Sequence, residues 1–427
     1  MKRWHLLVPR SWLVACTALL GFAGSAFATD RHVPSGYSTI QAAVNASASG
    51  DVVVCAPGTY TEAVVATKSN ITIKGTTDAA GNICVWDGGV DSAAKTCLEI
   101  TGDAVVVANI KFKNGLDQVK LKGRYNKIKD CKSEKPKGSF CKIEGDNCVI
   151  DRCEVRESAE AAVKVIGKVA TVTYVKVFTS LDVGIDIEGD DSYTRYCYVE
   201  DCKKGGIKCH KPGGRPRYCK VLDSEAYACA EFGFHFDVDV GDCKRNTATL
   251  CGESESSARA GFKFLGDDNW CHNNLADRCK GDGFNHRGDY GWHYGNEAKD
   301  CERDGHRFEG NVNDCDYGDA RGNGRDGISC DGDENWFYDC TSRDNRDDGY
   351  DTDGGRDNRY TRCEGKENDG AGCENGGSST DLYSCVFLYN KVDIGLDGST
   401  GCSFGTVSLS VFATGSVTGI LGIGFGL

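Results

Sequence analysis

Four carboxylates crowd one short segment of the chain, Asp347-Asp348-Gly349-Tyr350-Asp351-Thr352-Asp353. Twenty-two residues before the second and fourth of them stand Asp326 and Asp331. If positions 22 apart stack on each other, Asp326 falls on Asp348 and Asp331 on Asp353. Carboxylates that close repel, so the arrangement favours a bound cation. Hard oxygen donors suit Ca²⁺, which is the expected cofactor, held by Asp326, Asp331, Asp347, Asp348, Asp351 and Asp353. Arg325, Arg346 and Arg356 are the alternative neutralising partners, and Asp-Gly pairs also serve as turn chemistry. A second group comprises His235, Asp237 and Asp239, followed by Lys263 within Gly261-Phe262-Lys263-Phe264.

The spacing of 22 is not confined to these residues. Gly261, Gly283, Gly305, Gly327 and Gly349 keep it, and so do the preceding Asp282, Asp304, Asp326 and Asp348. Cysteines keep it too, in the pairs Cys131/Cys153, Cys197/Cys219, Cys279/Cys301 and Cys363/Cys385. A Leu-x-x-Leu-x-Leu frame is absent, and helical repeats need longer units. The segments between the turns read as short strands, such as Gly184-Ile185-Asp186-Ile187. One coil of a parallel β-helix takes roughly 20–25 residues, so each repeat is predicted to be one coil, and about fifteen coils give a rod of about 70 Å.

Alternation then assigns the faces. Phe284/His286, His306/Phe308, Ile328/Cys330 and Tyr350/Thr352 are predicted to point inward and stack coil on coil. The intervening residues point out as one polar stripe. It runs through Asp186/Glu188, Lys208/His210, His235/Asp237, Lys263, Arg287, Arg307/Glu309, Asp331 and Asp351/Asp353. His235, Asp237, Arg287 and Glu309 are its expected substrate-binding residues, unless the stripe is simply a solvated face.

The N-terminal part carries a resemblance. Gly36-Tyr37-Ser38-Thr39-Ile40-Gln41-Ala42-Ala43-Val44, then Gly50-Asp51-Val52-Val53-Val54, Ala56-Pro57-Gly58-Thr59-Tyr60 and Ile71-Thr72-Ile73-Lys74-Gly75 look like the N-terminal cap of pectate-lyase-like right-handed β-helices. Thr39 can cap a short helix whose Ile40, Ala43 and Val44 share a face that plugs the open end of the core. The resemblance implies an all-β fold, a single right-handed parallel β-helix with a short N-terminal capping helix, over 29–401. The Asp-Asp-Gly-aromatic-Asp run is similar to the calcium-binding coil of family 9 pectate lyases. In that family a Lys in Gly-Phe-Lys is the proposed base, which marks Lys263; Arg307 is the other candidate base. Here the two halves of the motif are split: Lys263 and Asp351 lie four coils apart, roughly 19 Å along the rod. β-Elimination from a uronate would need a cation on the carboxylate, a base for the neighbouring proton and a further positive group to steady the enolate.

Composition sets the class. The 427 residues carry a net charge of −13, which excludes a nucleic-acid partner. Twenty-five Cys are too many for a reduced cytosolic enzyme. Lys2, Arg3 and Arg10, an apolar run from Trp12 to Gly24 and Ala26-Phe27-Ala28 predict a signal peptide over 1–28. Leu13-Val14-Ala15-Cys16 offers a rival, lipid-anchoring cut. Without a C-x-x-C and with only eight His, zinc ribbons are not expected. Cys on neighbouring coils are expected to staple the rod as disulfides, with some pairs left as stacked thiols. Residues 402–427 are expected to form an apolar, Gly-rich cap, or an anchor tail. No other membrane segment is foreseen. The predicted protein is secreted or surface-held and acts on or binds an acidic polysaccharide or surface glycan as a lyase or epimerase, with Ca²⁺. The alternative is a non-catalytic structural or adhesive β-helix.

Overall fold

The computed structural model describes residues 28–89, 95–210, 212–214, 217–253, 259–352, 354–396, 403–409 and 424–425. Residues 1–27 of the expected signal peptide, with Cys16, and Asp353, Cys402 and most of the C-terminal segment lie outside the described residues.

Each coil consists of three short strands joined by sharp corners. One representative coil runs through Trp270–His272 on a first sheet, Leu275–Asp277 on a second and Asp282–His286 on a third. The next coil repeats it with Trp292–Tyr294, Glu297–Lys299 and His306–Phe308, each strand parallel to and in register with its predecessor. The third sheet contains 15 such strands and the first 17, so the described residues wind a right-handed parallel β-helix of about 16 turns. The ladders continue past residue 401: Ser403–Phe404 joins the first sheet and Thr406–Leu409 the second.

The corners depend on left-handed residues. Asn273 and Arg278 sit at φ 52° and 50°, and Tyr290 and Asp300 of the next coil at 59° and 51°. Non-glycine residues in this region cost about 1–3 kcal/mol each unless their surroundings enforce it. The ladder does enforce it: the corner N–H groups of Asn273 and Arg278 each donate to the next coil, to Tyr294 and Lys299 at 2.8 Å. The recurrent glycines have a different cause. A Cβ on Gly283 would stand 2.7 Å from the Ala298 Cβ and 2.6 Å from the Gly305 carbonyl. One coil later, on Gly305, it would meet the Gly327 carbonyl at 2.6 Å. The repeat of 22 therefore marks where the third sheet presses against the second.

The inward residues stack as the alternation predicts. Phe234, Phe262, Phe284 and His306 form one column with ring centroids 4.9, 4.7 and 4.6 Å apart. Phe236, Phe264, His286 and Phe308 form a second, at 5.3, 5.2 and 4.5 Å. Polar columns line the corners. The side-chain amides of Asn323, Asn345 and Asn368 each donate to the Oδ1 of the next Asn at 2.9 Å, ending on Asn390. The same oxygens accept the main-chain N–H of the preceding coil, as Asn345 does from Asn323 at 3.0 Å. Truncating one such Asn would strand buried donors, at about 1–3 kcal/mol.

Cysteines fill the earlier coils of that column, at Cys202, Cys229, Cys251, Cys279 and Cys301. They are thiols, which corrects the expectation of a disulfide-stapled rod. The one disulfide among the described residues, Cys209–Cys219, closes a loop between a third-sheet strand and the following first-sheet strand. The other 21 described Cys are free and buried. In parallel, in-register coils equivalent Cβ atoms point the same way, whereas a disulfide needs a Cβ–S–S–Cβ torsion near ~90°. Burial pushes the Cys197 and Cys330 thiols up to about 12, so they are neutral and unreactive in the fold. Alkylation of native protein should leave these cysteines unmodified, and alkylation in denaturant without reductant should modify nearly all of them. Resistance under both conditions, read by intact mass, would restore the staples.

The N-terminal end is closed as the sequence predicts. The helix Ile40–Ala46 is capped by Thr39, whose hydroxyl accepts from Ala42 N–H at 3.1 Å, and buries Ile40, Ala43 and Val44. Asp51 ties this cap to the first strand: it accepts from the N–H groups of Ala48 and Thr29, both at 2.9 Å, and pairs with Arg31 at 2.6 Å. The hydrogen bonds from Ala48 and Thr29, followed by the one from Arg31, hold the Asp51 carboxyl down at about 2. A carboxyl depressed in the fold stabilises it above its unfolded value of ~3.9 and loses that contribution as pH falls toward the folded value. Asp51→Ala should therefore lower the melting temperature at pH 5, and the difference from the native sequence should shrink toward pH 2 in a circular-dichroism melt.

Candidate functional site on the third sheet

The outward row of the third sheet places Asp186, Lys208, His235, Lys263, Asn285, Arg307, Ser329 and Asp351 directly over one another. A second outward row, two residues further along each strand, carries Glu188, His210, Asp237, Arg287, Glu309 and Asp331. Both ends of this surface neutralise themselves. At the N-terminal end Lys164 pairs with Glu188 at 2.9 Å, and the His210 ring lies 2.9 Å from Asp186. Toward the C-terminal end Glu309 bridges Arg287 and Arg307, each at 2.9 Å, and Arg307 also reaches Asp331 at 2.9 Å and Asp304 at 3.6 Å. Arg307 is thus locked as a cation among three carboxylates and is unsuited to taking a proton, contrary to its expected role as a base.

The centre of the surface is different. Lys208 and Lys263 have no ion-pair partner among the described residues. Between them, one coil from each, lies His235. It was expected as an exposed substrate contact, but it is only 9% exposed and packs edge-on to Phe232 with ring centroids 5.0 Å apart. Burial, with Lys263 and Lys208 on either side, pushes its pKa down to about 3, so the ring is neutral. The Lys263 ammonium is pulled below its ordinary value, first by burial and then by Arg287. Asp237 lies half-buried on the second outward row.

The acidic residues sort differently from the expected six-carboxylate site. Oxygens of Asp326, Asp347 and Asp348 come within 4.8 Å of one another, and the Asp348 N–H donates to Asp326 at 3.0 Å. Asp331 and Asp351 are not in this group: Asp331 pairs with Arg307, and Asp351 stands on the outward row between Ser329 and Glu374. Asp353 lies outside the described residues. Of the three arginines Arg325, Arg346 and Arg356, the first acts electrostatically on Asp326. Asp326 and Asp348 end the column that the 22-residue spacing marked, in which Asp282, Asp304, Asp326 and Asp348 occupy the same place on successive coils. Asp282 and Asp304 are 1% and 2% exposed. Burial, and then Asp282 and Asp326, push Asp304 up to about 7; burial, with Asp348 and Asp347, pushes Asp326 up to about 6. A crowded all-oxygen donor set fits a hard divalent cation such as Ca²⁺, with Asp326, Asp347 and Asp348 as the residues that would hold it. A further acidic group, Asp186, Glu188 and His210, already has Lys164 beside it.

Three parallel sheets of one strand per coil and a helix-plugged N-terminal end decide the architecture. The fold is a right-handed parallel β-helix. No family model matches this β-helix, and no curated protein matches its sequence. Among solved structures it is similar to the Azotobacter vinelandii mannuronan C-5 epimerase AlgE4 A-module, at 16% identity over 89% of this chain and 95% of that one, with a TM-score of 0.41. It is also similar to the Dettilon tailspike protein, at 13% identity over 87% of this chain and 64% of that one, with a TM-score of 0.41. The periplasmic alginate epimerase AlgG matches at 13% identity over 83% of this chain and 78% of its own, with a TM-score of 0.34. No helix among the described residues is long and apolar enough to cross a membrane.

Addition of millimolar Ca²⁺ at pH 8 should raise the melting temperature and chelator should reverse it, by mass action on the folded state. Asp326→Asn should abolish the response, whereas Asp186→Asn should retain it. Absence of binding heat in a calorimetric titration of the native protein would remove the metal from this group.

Proposed function

We propose that the third sheet binds an acidic polysaccharide and that Lys263 removes a proton from a bound uronate, as in a lyase or an epimerase. The supporting observation is the unpaired Lys208 and Lys263, one coil to either side of a buried, neutral His235, between the Lys164–Glu188 pair on one side and the Arg287–Glu309–Arg307–Asp331 chain on the other. A β-helix presents one such position about every 4.8 Å, close to the length of one sugar residue, so successive carboxylates of a polyanion can meet successive cations. Arg287, one coil from Lys263, would exchange Glu309 for the carboxylate of the sugar over Lys263, and Lys208, two coils away on the other side, would meet the carboxylate of another sugar along the polymer.

The Lys263 amine, its pKa lowered, takes the proton next to that carboxylate, and the C–H electron pair moves into the carboxylate as an enediolate. Collapse with loss of the neighbouring glycosidic oxygen, which takes up a proton, gives a lyase product. Return of a proton to the opposite face gives an epimer. His235 is too weak a base at neutral pH and serves as a flat, uncharged floor. Ca²⁺ held by Asp326, Asp347 and Asp348 would lie about three coils, or ~14 Å, from Lys263, and so would stiffen the rod or hold a more distant sugar. That separation favours a second reading, a surface protein that binds the polymer without altering it. The leader-like N-terminal segment and an extracellular polymer support a secreted or surface-held location.

Polymannuronate, polyguluronate and polygalacturonate should be tested for ultraviolet absorbance from unsaturated uronates and for deuterium incorporation from heavy water. Lys263→Ala should lose at least ~100-fold of either activity, in keeping with loss of a general base. Lys263→Arg should retain binding without turnover. Polymer binding with no activity in the native protein would establish the non-catalytic reading, and no binding would overturn both.

A further inference from the structure

The first sheet carries a separate surface on the opposite side of the corner from the basic row. Its outward ladder runs Asp242, Trp270, Trp292, Asp314, Trp336 and Arg359, one residue per coil. Large apolar side chains facing water are costly unless something covers them. Yet Trp270, Trp292 and Trp336 are 50%, 39% and 54% exposed.

The ladder is filled at both ends and open in the middle. Trp270 and Trp292 pack edge to face at 5.6 Å, with the His272 ring 5.1 Å from Trp292. At the other end the Arg359 guanidinium lies 5.4 Å from the Trp336 ring centre and is paired with Asp381. Between the two indoles the ladder residue is the short Asp314, and the missing bulk leaves a slot of about 330 Å³. Trp292 and Trp336 form its walls, Gly291 and Asp314 its floor, and Tyr290 and Glu334 its corner side.

The charge in this slot has one sign. Neither Asp314 nor Glu334 forms an ion pair among the described residues, and no Lys, Arg or His lines the slot. Burial and the neighbouring Asp316 raise the Asp314 carboxyl above its ordinary value, so a cation placed there would relieve it. The faces of aromatic rings are themselves electronegative, and Trp is the strongest of them. An anionic sugar is repelled by such a site. A bare metal ion finds, among the lining side chains, only two separated carboxylates and the Tyr290 hydroxyl. The complement is a cation with an apolar rim, and Arg359 already shows one face of Trp336 accepting a cation.

We propose that the slot between Trp292 and Trp336 binds a free quaternary ammonium compound of the choline type, its methyl groups against the two indoles and its charge over Asp314. Binding is reversible and independent of the chemistry proposed for the third sheet.

The test is a tryptophan-fluorescence titration of the full chain with choline and tetramethylammonium, with potassium chloride and the neutral isostere 3,3-dimethylbutanol as controls. Both quaternary ions should give a saturable change at millimolar concentration, and neither control should. Trp336→Ala and Asp314→Asn should each weaken choline at least ~10-fold, as expected for a lost cation–π wall or counter-charge, with an unaltered circular-dichroism spectrum. Lys263→Ala should bind choline as the native protein does. Equal binding of the isostere would make the slot merely apolar, and saturation by a neutral monosaccharide in place of choline would make it a sugar platform; either result overturns the proposal. Co-sedimentation with phosphatidylcholine vesicles without binding of free choline would overturn the free small molecule as the occupant.

Discussion

Every feature of this molecule rests on in-register stacking of one coil on the next. Main-chain ladders bond each strand to its neighbours about 4.8 Å away, and nothing in the interior lies more than a short distance from a copy of itself. Such stacking is tolerant of apolar side chains and demanding of polar ones. Phenylalanines gain from it, because their rings meet face to face at under 5 Å in the Phe234 column. Asparagines gain because each amide is both donor and acceptor, so one column satisfies its own members and the corner N–H groups. Aspartates lose, because identical charges stack too. The Asp282–Asp348 column is the place where the repeat works against the fold, and its raised carboxyls record that cost.

The same rule explains how the surface sorts itself into sites. Where an outward row alternates in sign from coil to coil, ion pairs close across the coils, as along Arg287, Glu309, Arg307 and Asp331. Where it does not alternate, charge or apolar surface is left over. Lys208 and Lys263 are left over on the third sheet, and the two indoles around Asp314 on the first. Function in a solenoid is therefore sought where the alternation lapses, since regular stretches consume their own interaction capacity.

Much of the architecture was legible because it is periodic. Thr39, Ile40, Ala43 and Val44 announced the capping helix by type and spacing, and the two-residue alternation after each recurrent glycine placed Phe284, His286, His306 and Phe308 inside. What periodicity alone could not carry was orientation within a coil. The cysteines were read as staples from their spacing, but spacing does not say that parallel Cβ atoms fail to face each other. Asp282 and Asp304 shared the spacing of the expected metal ligands Asp326 and Asp348, but spacing did not say that they are buried. His235 was placed outward by alternation, which is correct for its backbone, while Phe232 three residues earlier covers its ring. The asparagine columns were obscured because loops stretch the step from 22 to 28 between Asn246 and Asn274, although their side chains still meet.

A coil that contacts only its two neighbours makes distance along the rod a whole number. Lys263 and the Asp326 group are separated by an integral count of coils, and extra residues within a coil leave that count unchanged, as the in-register steps from Lys208 to His235 and from His235 to Lys263 show. Only gain or loss of an entire coil alters the separation, and then by one strand spacing, with every side-chain direction preserved. Divergence in such a molecule would move its two charged regions apart or together in steps, like marks on a ruler, while each region kept its internal geometry.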